Sequence, residues 1–216
     1  MSFSPYLVGV AGGSGSGKTS LIRALRQQFP AGTVSVVSQD DYYLPHERQR
    51  ADANGRINFD LPEGIDLAAL ASDLQGLPQR RPIRPREYSC IENAKEAGWK
   101  HTDPAPLVLV EGLFLLHHGP LRAGFDLRVF VYAGAEVELR RRLKRDAEER
   151  GYGREDVLYQ WHNHVLPAHE RYLLPHRSAC EVEVDNDDGF EPALKNLRRH
   201  LDSRAPVLRA IAAQSV

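Results

Sequence analysis

The chain has 216 residues, of which 42 % are hydrophobic and 26 % are charged, and its formal net charge is -1 at pH 7. This length and apolar content suit one sizeable α/β domain with a core of its own. The nearly neutral charge balance excludes a strongly basic surface that would gather nucleic acid or acidic membranes, so small molecules or further copies of the chain are the expected partners.

Two cysteines, Cys90 and Cys180, stand far apart in the chain and form no C-x-x-C pair. This usage is typical of a reducing compartment and argues against a disulfide scaffold. No apolar stretch approaches the roughly 20 residues of a membrane span. We therefore expect a cytoplasmic protein without a membrane anchor.

Short apolar runs alternate with longer helical patterns, which favours a parallel sheet with helices on both faces. Pro167 is expected to kink or break the fourth helix. The predicted strands are residues 7–11, 33–37, 107–110, 127–131 and 182–184. The predicted helices are residues 19–29, 66–75, 136–150, 155–176 and 191–201.

Residues 76–106 have a different texture, because they combine five prolines with a basic group. We expect a loop or small hairpin on the substrate side of the domain, where α/β enzymes often hold specificity-determining parts. The tail, residues 204–216, is expected to fray. The basic group consists of Arg80, Arg81, Arg84 and Arg86.

A glycine-rich segment follows the first predicted strand and precedes the first predicted helix, as in a phosphate-binding loop. Glycines let successive N–H groups point at phosphate oxygens, and the helix adds the positive end of its dipole. Lys18 supplies a point charge, and Thr19 supplies a hydroxyl for Mg²⁺. The sequence predicts nucleoside triphosphate binding, with ATP or alternatively GTP as phosphoryl donor. The binding residues are Gly12, Gly13, Ser14, Gly15, Ser16, Gly17, Lys18, Thr19 and Ser20.

Ligands of parallel sheets bind at the carboxyl ends of the strands, where this chain places acidic residues. Asp40 and Asp41 follow the second predicted strand, and either carboxylate could accept the proton of an attacking hydroxyl. Glu111 follows the third strand and is a candidate Mg²⁺ ligand, because hard cations prefer oxygen. The alternative for Asp40 and Asp41 is a solvated acidic turn or a helix N-cap, and the alternative for Glu111 is a strand-end acid that binds no ligand.

The predicted helix at 136–150 is rich in basic residues, with Arg142 and Arg145 on one face. Such a run can be a solvated helix face. Behind a phosphate-binding loop it can also form a lid that clamps the transferred phosphoryl group, and we expect the lid and its following helix to span residues 136–176. A nucleic-acid surface is disfavoured, because no aromatic residues interleave with the arginines.

Four histidines cluster between residues 162 and 176, but no cysteine or acid beside them completes a metal-ligand set. We expect solvated or core-edge side chains here. The four are His162, His164, His169 and His176.

Taken in order, the motifs of this chain resemble the uridine kinase (uridine-cytidine kinase) family, within the phosphoribulokinase and uridine kinase group. The resemblance runs from about residue 6 to 186, and the ordered set is far more specific than any one motif. The matching segments are GGSGSGKT (12–19), SQDDYY (38–43), NFDLP (58–62), VEGL (110–113), DLRVFV (126–131), RRLKRD (141–146) and ERG (149–151).

The resemblance implies a P-loop kinase domain over residues 1–216, with a mostly parallel sheet flanked by helices. It also implies ATP- and Mg²⁺-dependent phosphoryl transfer to the 5′-hydroxyl of a nucleoside, uridine or cytidine first, by a homo-oligomer. Lys18, Asp40, Arg142 and Arg145 take the catalytic positions, and Thr19 and Glu111 the metal positions. The substrate-binding positions fall on Asp40, Tyr43, Phe59, Asp60, Tyr88, Asn93, Lys95, Arg142 and Gln160.

Two departures from the family pattern leave the identity of the base open. Asn93 and Lys95 stand where the family keeps a base-reading histidine and an arginine, in the segment that begins at Tyr88. Tyr152 stands where the family keeps an arginine, with Arg154 two residues on. Lysine does not replace the bidentate geometry of arginine, so base recognition is the part of the site most affected.

Two alternative functions remain open at the level of sequence. A kinase of the same group could phosphorylate a different nucleoside or a phosphorylated sugar, with the basic group at 80–86 holding an extra phosphate. A nucleotide-binding regulatory module would need only the phosphate-binding loop. The acceptor-side pair of Asp40 and Asp60 argues against such a module, because a switch has no acceptor to hold.

Overall fold

The computed structural model describes residues 4–85 and 98–204, and five parallel strands form its sheet. The strand order is β2-β3-β1-β4-β5. Each predicted strand is found within two residues of its expected bounds. The strands are β1 (Tyr6–Gly12), β2 (Val34–Ser38), β3 (Leu107–Gly112), β4 (Leu127–Tyr132) and β5 (Val182–Asp185).

Helices cover both faces of this sheet. The six-residue α3 was not predicted, because a proline and two glycines leave it no apolar period. The helices are α1 (Lys18–Arg26), α2 (Leu67–Gly76), α3 (Gly119–Gly124), α4 (Ala135–Arg150), α5 (Arg154–Gln160), α6 (Leu166–Ala168) and α7 (Glu191–Arg204).

Alternate residues of the central strand β3 belong to two separate cores. Leu107 and Leu109 pack with α1 and α7 on one face. Val108 and Val110 pack with α2 and α3 on the other face. A strand buried on both faces reads as a continuous apolar run, which is why β3 was visible in the sequence.

The helical backbone continues through Pro167, so the expected break is wrong. After α5, the π-helical turns Trp161–Val165 and His169–Leu173 flank α6, which contains Pro167. A final 3-10 segment ends at Ala179. Proline lacks an N–H and crowds the carbonyl four residues earlier, and the wider π turns absorb both effects without ending the helix.

The sheet order places three chain segments at one edge of the fold. In the registers of the strands, Glu111 pairs with Val10 of β1 on one side and with Ser38 of β2 on the other. The loop after β1 and the segment after β2 therefore flank Glu111. In the described ranges, no helix is both long and apolar enough to cross a membrane.

Only the two ends of the 76–106 segment can be described. Ile83 and Thr102 pair as an isolated antiparallel bridge, which holds these ends together. Tyr88, Asn93 and Lys95 lie outside the described residues, as do Arg86 and the tail from 205 to 216.

Candidate active site

A cleft of about 560 Å³ opens at the carboxyl ends of β1, β2 and β3. Sequence reasoning assigned no function to Arg23, Ile57, Leu113, Glu149 and His164, which also line it. Most residues predicted for the site meet in this cleft. They are Ser14, Gly15, Gly17, Lys18, Thr19, Ser20, Asp40, Tyr43, Phe59, Asp60, Glu111, Arg142, Arg145 and Gln160.

The shape of the phosphate-binding loop depends on two glycines with positive φ. Gly15 and Gly17 adopt φ values of 87° and 97°, in the left-handed region. A Cβ on Gly17 would lie 2.1 Å from Nδ2 of Asn186, and one on Gly15 would lie 2.5 Å from the carbonyl oxygen of Glu138. The loop therefore packs directly on α4 and on the residue that follows β5.

The other residues of the phosphate-binding loop, Gly12, Gly13 and Ser16, do not line the cleft and pack against the protein instead. Gly12 ends β1, and a Cβ there would lie 2.0 Å from the carbonyl oxygen of Val131. Ser16 is fully buried, and its carbonyl accepts a hydrogen bond from Nδ2 of Asn186 at 2.7 Å. A Cβ on Gly13 would lie 2.9 Å from Oε2 of Glu138.

Lys18 holds its ammonium group against the backbone of the loop. Nζ donates to the carbonyl oxygens of Gly12 at 3.0 Å and Gly13 at 2.8 Å. Burial lowers the pKa of Lys18, while the negative charges of Glu111 and Asp40 oppose that shift. The cation and its two neighbouring acids thus share one end of the cleft.

Thr19 and Glu111 form the oxygen-rich pair expected of a magnesium site. The Thr19 hydroxyl donates to Oε2 of Glu111 at 2.8 Å. Burial raises the pKa of Glu111, and the Thr19 hydrogen bond and the Lys18 charge oppose this shift. Hydroxyl and carboxylate oxygens are ligands that Mg²⁺ prefers, so Thr19 and Glu111 fit this ion.

The structure separates the two acids that follow β2. Ser38 caps the short 3-10 turn Gln39–Tyr42 by accepting from the backbone N–H of Asp40 at 3.3 Å. Asp40 lines the cleft, whereas Asp41 forms an ion pair with Lys100 at 2.6 Å and does not line it. Of the two acids, Asp40 is therefore the one whose side chain is in the cleft.

The segment that carries Phe59 and Asp60 forms another part of the cleft lining. The Tyr43 hydroxyl donates to the carbonyl oxygen of Phe59 at 3.0 Å, and the two rings meet edge to face. Asp60 is buried, which raises its pKa, while the positive charge of Arg142 opposes the shift. This segment therefore contributes a buried carboxylate near Arg142.

The arginines of α4 reach across the cleft to the phosphate-binding loop. Arg142 donates to the Ser14 hydroxyl at 3.1 Å and to Oε1 of Gln160 at 2.7 Å. Arg145 lies 3.5 Å from the same serine oxygen. Arg142 is 6 % exposed, so this part of α4 is not a solvated helix face.

A buried carboxylate that sequence reasoning missed holds these arginines. Asp146 is fully buried, and its oxygens lie 3.2 Å from Arg142 Nε, 2.9 Å from Arg145 Nε and 3.3 Å from Arg150 Nη1. It belongs to the matched segment at 141–146, which was the available signal. An acid that follows five basic residues within 140–145 resembles an exposed surface charge until its burial is known.

Two further residues support the loop from the side of β5 and α4. Asn186 follows β5 directly, so the rule about carboxyl ends could have found it. Burial raises the pKa of Glu138, in the first turn of α4, to about 7, although its Oε1 accepts from the backbone N–H of Ala133 at 3.3 Å. Nothing in the local sequence distinguishes Glu138 from an ordinary exposed helix acid.

The positions that depart from the uridine kinase pattern are only partly described. Tyr152 lines the cleft, while Arg154 is exposed at the start of α5. Arg80, Arg81 and Arg84 do not line it. The described part of the basic group therefore brings no charge to the cleft.

One of the clustered histidines is placed differently from the expectation of solvated or core-edge side chains. His164 is buried, lines the cleft and bonds to Asp52 at 2.8 Å. Asp52 lies 112 positions away along the chain, so local sequence could not reveal this pair. His162, two residues earlier, is exposed as expected.

The sheet order and the loop after β1 define a P-loop kinase fold. Phosphoribulokinase from Rhodobacter spheroides shares it, with a TM-score of 0.61, 19 % sequence identity and coverage of 86 % of this chain and 71 % of that one. Residues 7–187 match the sequence profile of the phosphoribulokinase/uridine kinase family. The chain belongs to this family.

Two relatives that carry the name uridine kinase cover most of the chain. The protein from Deinococcus deserti is 36 % identical over 193 residues, which are 89 % of this chain and 93 % of that protein. The protein from Brevibacillus brevis is 33 % identical over 180 residues, 83 % of this chain and 84 % of that protein.

Proposed function

We propose that the protein is a nucleoside kinase that transfers the γ-phosphoryl group of ATP to the 5′-hydroxyl of uridine or cytidine, with Mg²⁺. The observation that carries the proposal is one cleft lined by two sets of residues. Lys18, Thr19 and Glu111 form one set, and Phe59 and Asp60 form the other. We assign the first set to the donor end of the cleft and the second to its acceptor end. The relatives named uridine kinase support the nucleoside as acceptor.

At the donor end, the loop N–H groups and Lys18 bind the outer phosphates of ATP. Thr19 and Glu111 would hold Mg²⁺, which supplies charge neutralisation on those phosphates. Arg142 and Arg145 face the loop from α4 and stabilise the charge on the phosphoryl group in flight.

At the acceptor end, Asp60 accepts hydrogen bonds from the sugar hydroxyls, with Tyr43, Phe59 and Gln160 around it. Asp40 lines the same cleft and accepts the proton of the attacking 5′-hydroxyl. The new bond joins that oxygen to the γ-phosphorus, and the bond between this phosphorus and the bridging oxygen of ATP breaks, which releases ADP. In-line positioning carries most of the rate enhancement.

The test uses Asp40→Asn beside Asp41→Asn, a matched change in the neighbouring acid that pairs with Lys100. Transfer from labelled ATP to a panel of nucleosides and phosphorylated sugars is measured for each protein. We expect Asp40→Asn to retain ATP binding and to lose about 100-fold or more in kcat. The loss in Asp41→Asn should be at least tenfold smaller.

The proposal fails if the unmodified protein transfers phosphate to no nucleoside. Turnover of phosphorylated sugars alone would identify the related sugar kinase instead. Repeating the assay with GTP decides the donor. Equal kcat values for Asp40→Asn and the unmodified protein would remove Asp40 from the mechanism.

We also propose that the chain assembles as a homo-oligomer in the cytoplasm, as its resemblance to uridine kinases and its cysteine usage led us to expect. Analytical ultracentrifugation at micromolar concentration tests the assembly. A single species at the 24.2 kDa of one chain would contradict it.

A further inference from the structure

His164 combines burial with access to the acceptor end of the cleft. It lies in the π-helical turn Trp161–Val165, its side chain is 2 % exposed, and it lines the cleft that also contains Asp60. The ring is fixed on two sides. Nε2 bonds to Oδ2 of Asp52 at 2.8 Å, and the ring meets that of Tyr159 edge to face with centroids 5.8 Å apart.

Asp52 is itself held rigidly and remains ionised. Its carboxylate accepts hydrogen bonds from the Tyr159 hydroxyl at 2.7 Å and from the backbone N–H groups of Asn54 at 2.8 Å and Arg56 at 3.0 Å. These hydrogen bonds, that of Tyr159 first, hold the pKa of Asp52 well below its usual range. An ionised carboxylate only accepts, so Nε2 of His164 carries a proton and Nδ1 is the ring nitrogen for another partner.

The pair joins two elements that surround the acceptor. Asp52 lies in the turn closed by the bridge between Ala51 and Ile57, shortly before Asp60. His164 lies beyond Gln160 on the helical segment that begins with α5. His164 and Asp60 line the same cleft, so the imidazole faces the space in which the acid proposed to hold the sugar hydroxyls lies.

We propose that His164, oriented by Asp52, is a further acceptor-binding residue, whose Nδ1 bonds to a sugar hydroxyl of the nucleoside beside Asp60. This assignment rests on the proposed function, because it takes the acceptor to be a nucleoside. Asp52 is a positioning residue that fixes the tautomer and the ring plane. The pair would thereby contribute to the selection of ribose over deoxyribose.

Two substitutions separate this role from a structural one. In His164→Gln the side-chain amide occupies about the position of Nε2, so the hydrogen bond to Asp52 can persist, while the hydrogen bond of Nδ1 to the sugar hydroxyl is lost. In His164→Asn the amide lies near the place of Nδ1, and the bond to Asp52 is lost instead. His162→Gln is the matched control, since His162 is exposed two residues away.

The measurements are kcat and KM for uridine, 2′-deoxyuridine and 3′-deoxyuridine, KM for ATP, and Tm. We expect His164→Gln to raise KM for uridine about tenfold, the effect of one lost hydrogen bond, with KM for ATP and Tm unchanged. The preference of the enzyme for uridine over one of the deoxynucleosides should shrink by the same factor. His162→Gln should match the unmodified enzyme.

A His164→Gln enzyme with unchanged KM for uridine and unchanged deoxynucleoside preference overturns the assignment while the kinase function stands. The pair would then only fasten the loop to the helix, and His164→Asn would lower Tm without a specific effect on the acceptor. An unmodified protein with no nucleoside turnover overturns the proposed function, and the assignment with it. The two failures are thus distinguished by the unmodified protein alone.

Discussion

Replacing Asp146 by Asn removes one negative charge from the centre of the arginine cluster on α4 and leaves its shape nearly unchanged. Arg142 is 6 % exposed, whereas Arg145 and Arg150 are 32 % and 27 % exposed, so the loss falls mainly on Arg142. Removing one partner of a buried ion pair costs about 3–5 kcal/mol. Because Asp60 also offsets the charge of Arg142, we expect the lower end, about 3 kcal/mol.

For a chain of this length, a loss of about 3 kcal/mol lowers Tm by roughly 6–12 °C. Because the arginines that face the phosphate-binding loop lose their common anchor, we also expect kcat to fall about 100-fold. Differential scanning calorimetry and the nucleoside kinase assay measure the two effects on the same protein preparation. The control is Asp202→Asn, which breaks an i,i+4 ion pair with Arg198 on the surface of α7.

The control should cost less than about 1 kcal/mol, because its partners are 29 % and 50 % exposed and solvent screens the pair. A Tm for Asp146→Asn as close to the unmodified protein as that of Asp202→Asn would refute the argument that the buried carboxylate is the anchor. A normal Tm with reduced kcat would leave the lid role intact but contradict the energetic reasoning.

Three further outcomes follow from the loop and its surroundings. Glu138→Gln should stabilise the protein increasingly as pH rises from 5 to 8, because burial raises the pKa of Glu138 from 4.5 to about 7, so its ionisation destabilises the folded state over that range. The unfolding free energy of Glu138→Gln minus that of the unmodified protein should rise by roughly 2 kcal/mol between pH 5 and pH 8. If this difference is the same at both pH values, the burial effect is contradicted. Gly17→Ala should abolish ATP binding in equilibrium titration, since its Cβ would lie 2.1 Å from Nδ2 of Asn186 at a positive φ, and retained affinity would show that the loop can relax. Glu111→Gln should raise the Mg²⁺ concentration for half-maximal activity at least several-fold, and an unchanged requirement would leave Thr19 as the protein ligand.

The sequence by itself determined the parallel sheet and the phosphate-binding loop. The sequence signal of each is contiguous in the chain: a strand appears as an apolar run, and the loop appears as a glycine-rich segment between a strand and a helix. The rule that ligands meet the carboxyl ends of strands then led to Asp40 and Glu111 before any coordinates were known. It could not choose between Asp40 and Asp41, because adjacent residues in a turn differ only in where their side chains point.

Tertiary structure alone decided the residues whose role depends on distant partners or on burial. His164 and Asp52 become a pair only when the turn near residue 52 packs on the helix after α5. Asp146 anchors the arginines because it is buried among them, although the charged sequence around it is typical of a solvated helix face. The helical backbone also continues through Pro167, because π-helical turns on both sides accommodate the missing N–H and the bulk of the proline ring, which sequence rules treat as a helix end. Burial and long-range contact set these outcomes, and neither is encoded in the spacing of neighbouring residues.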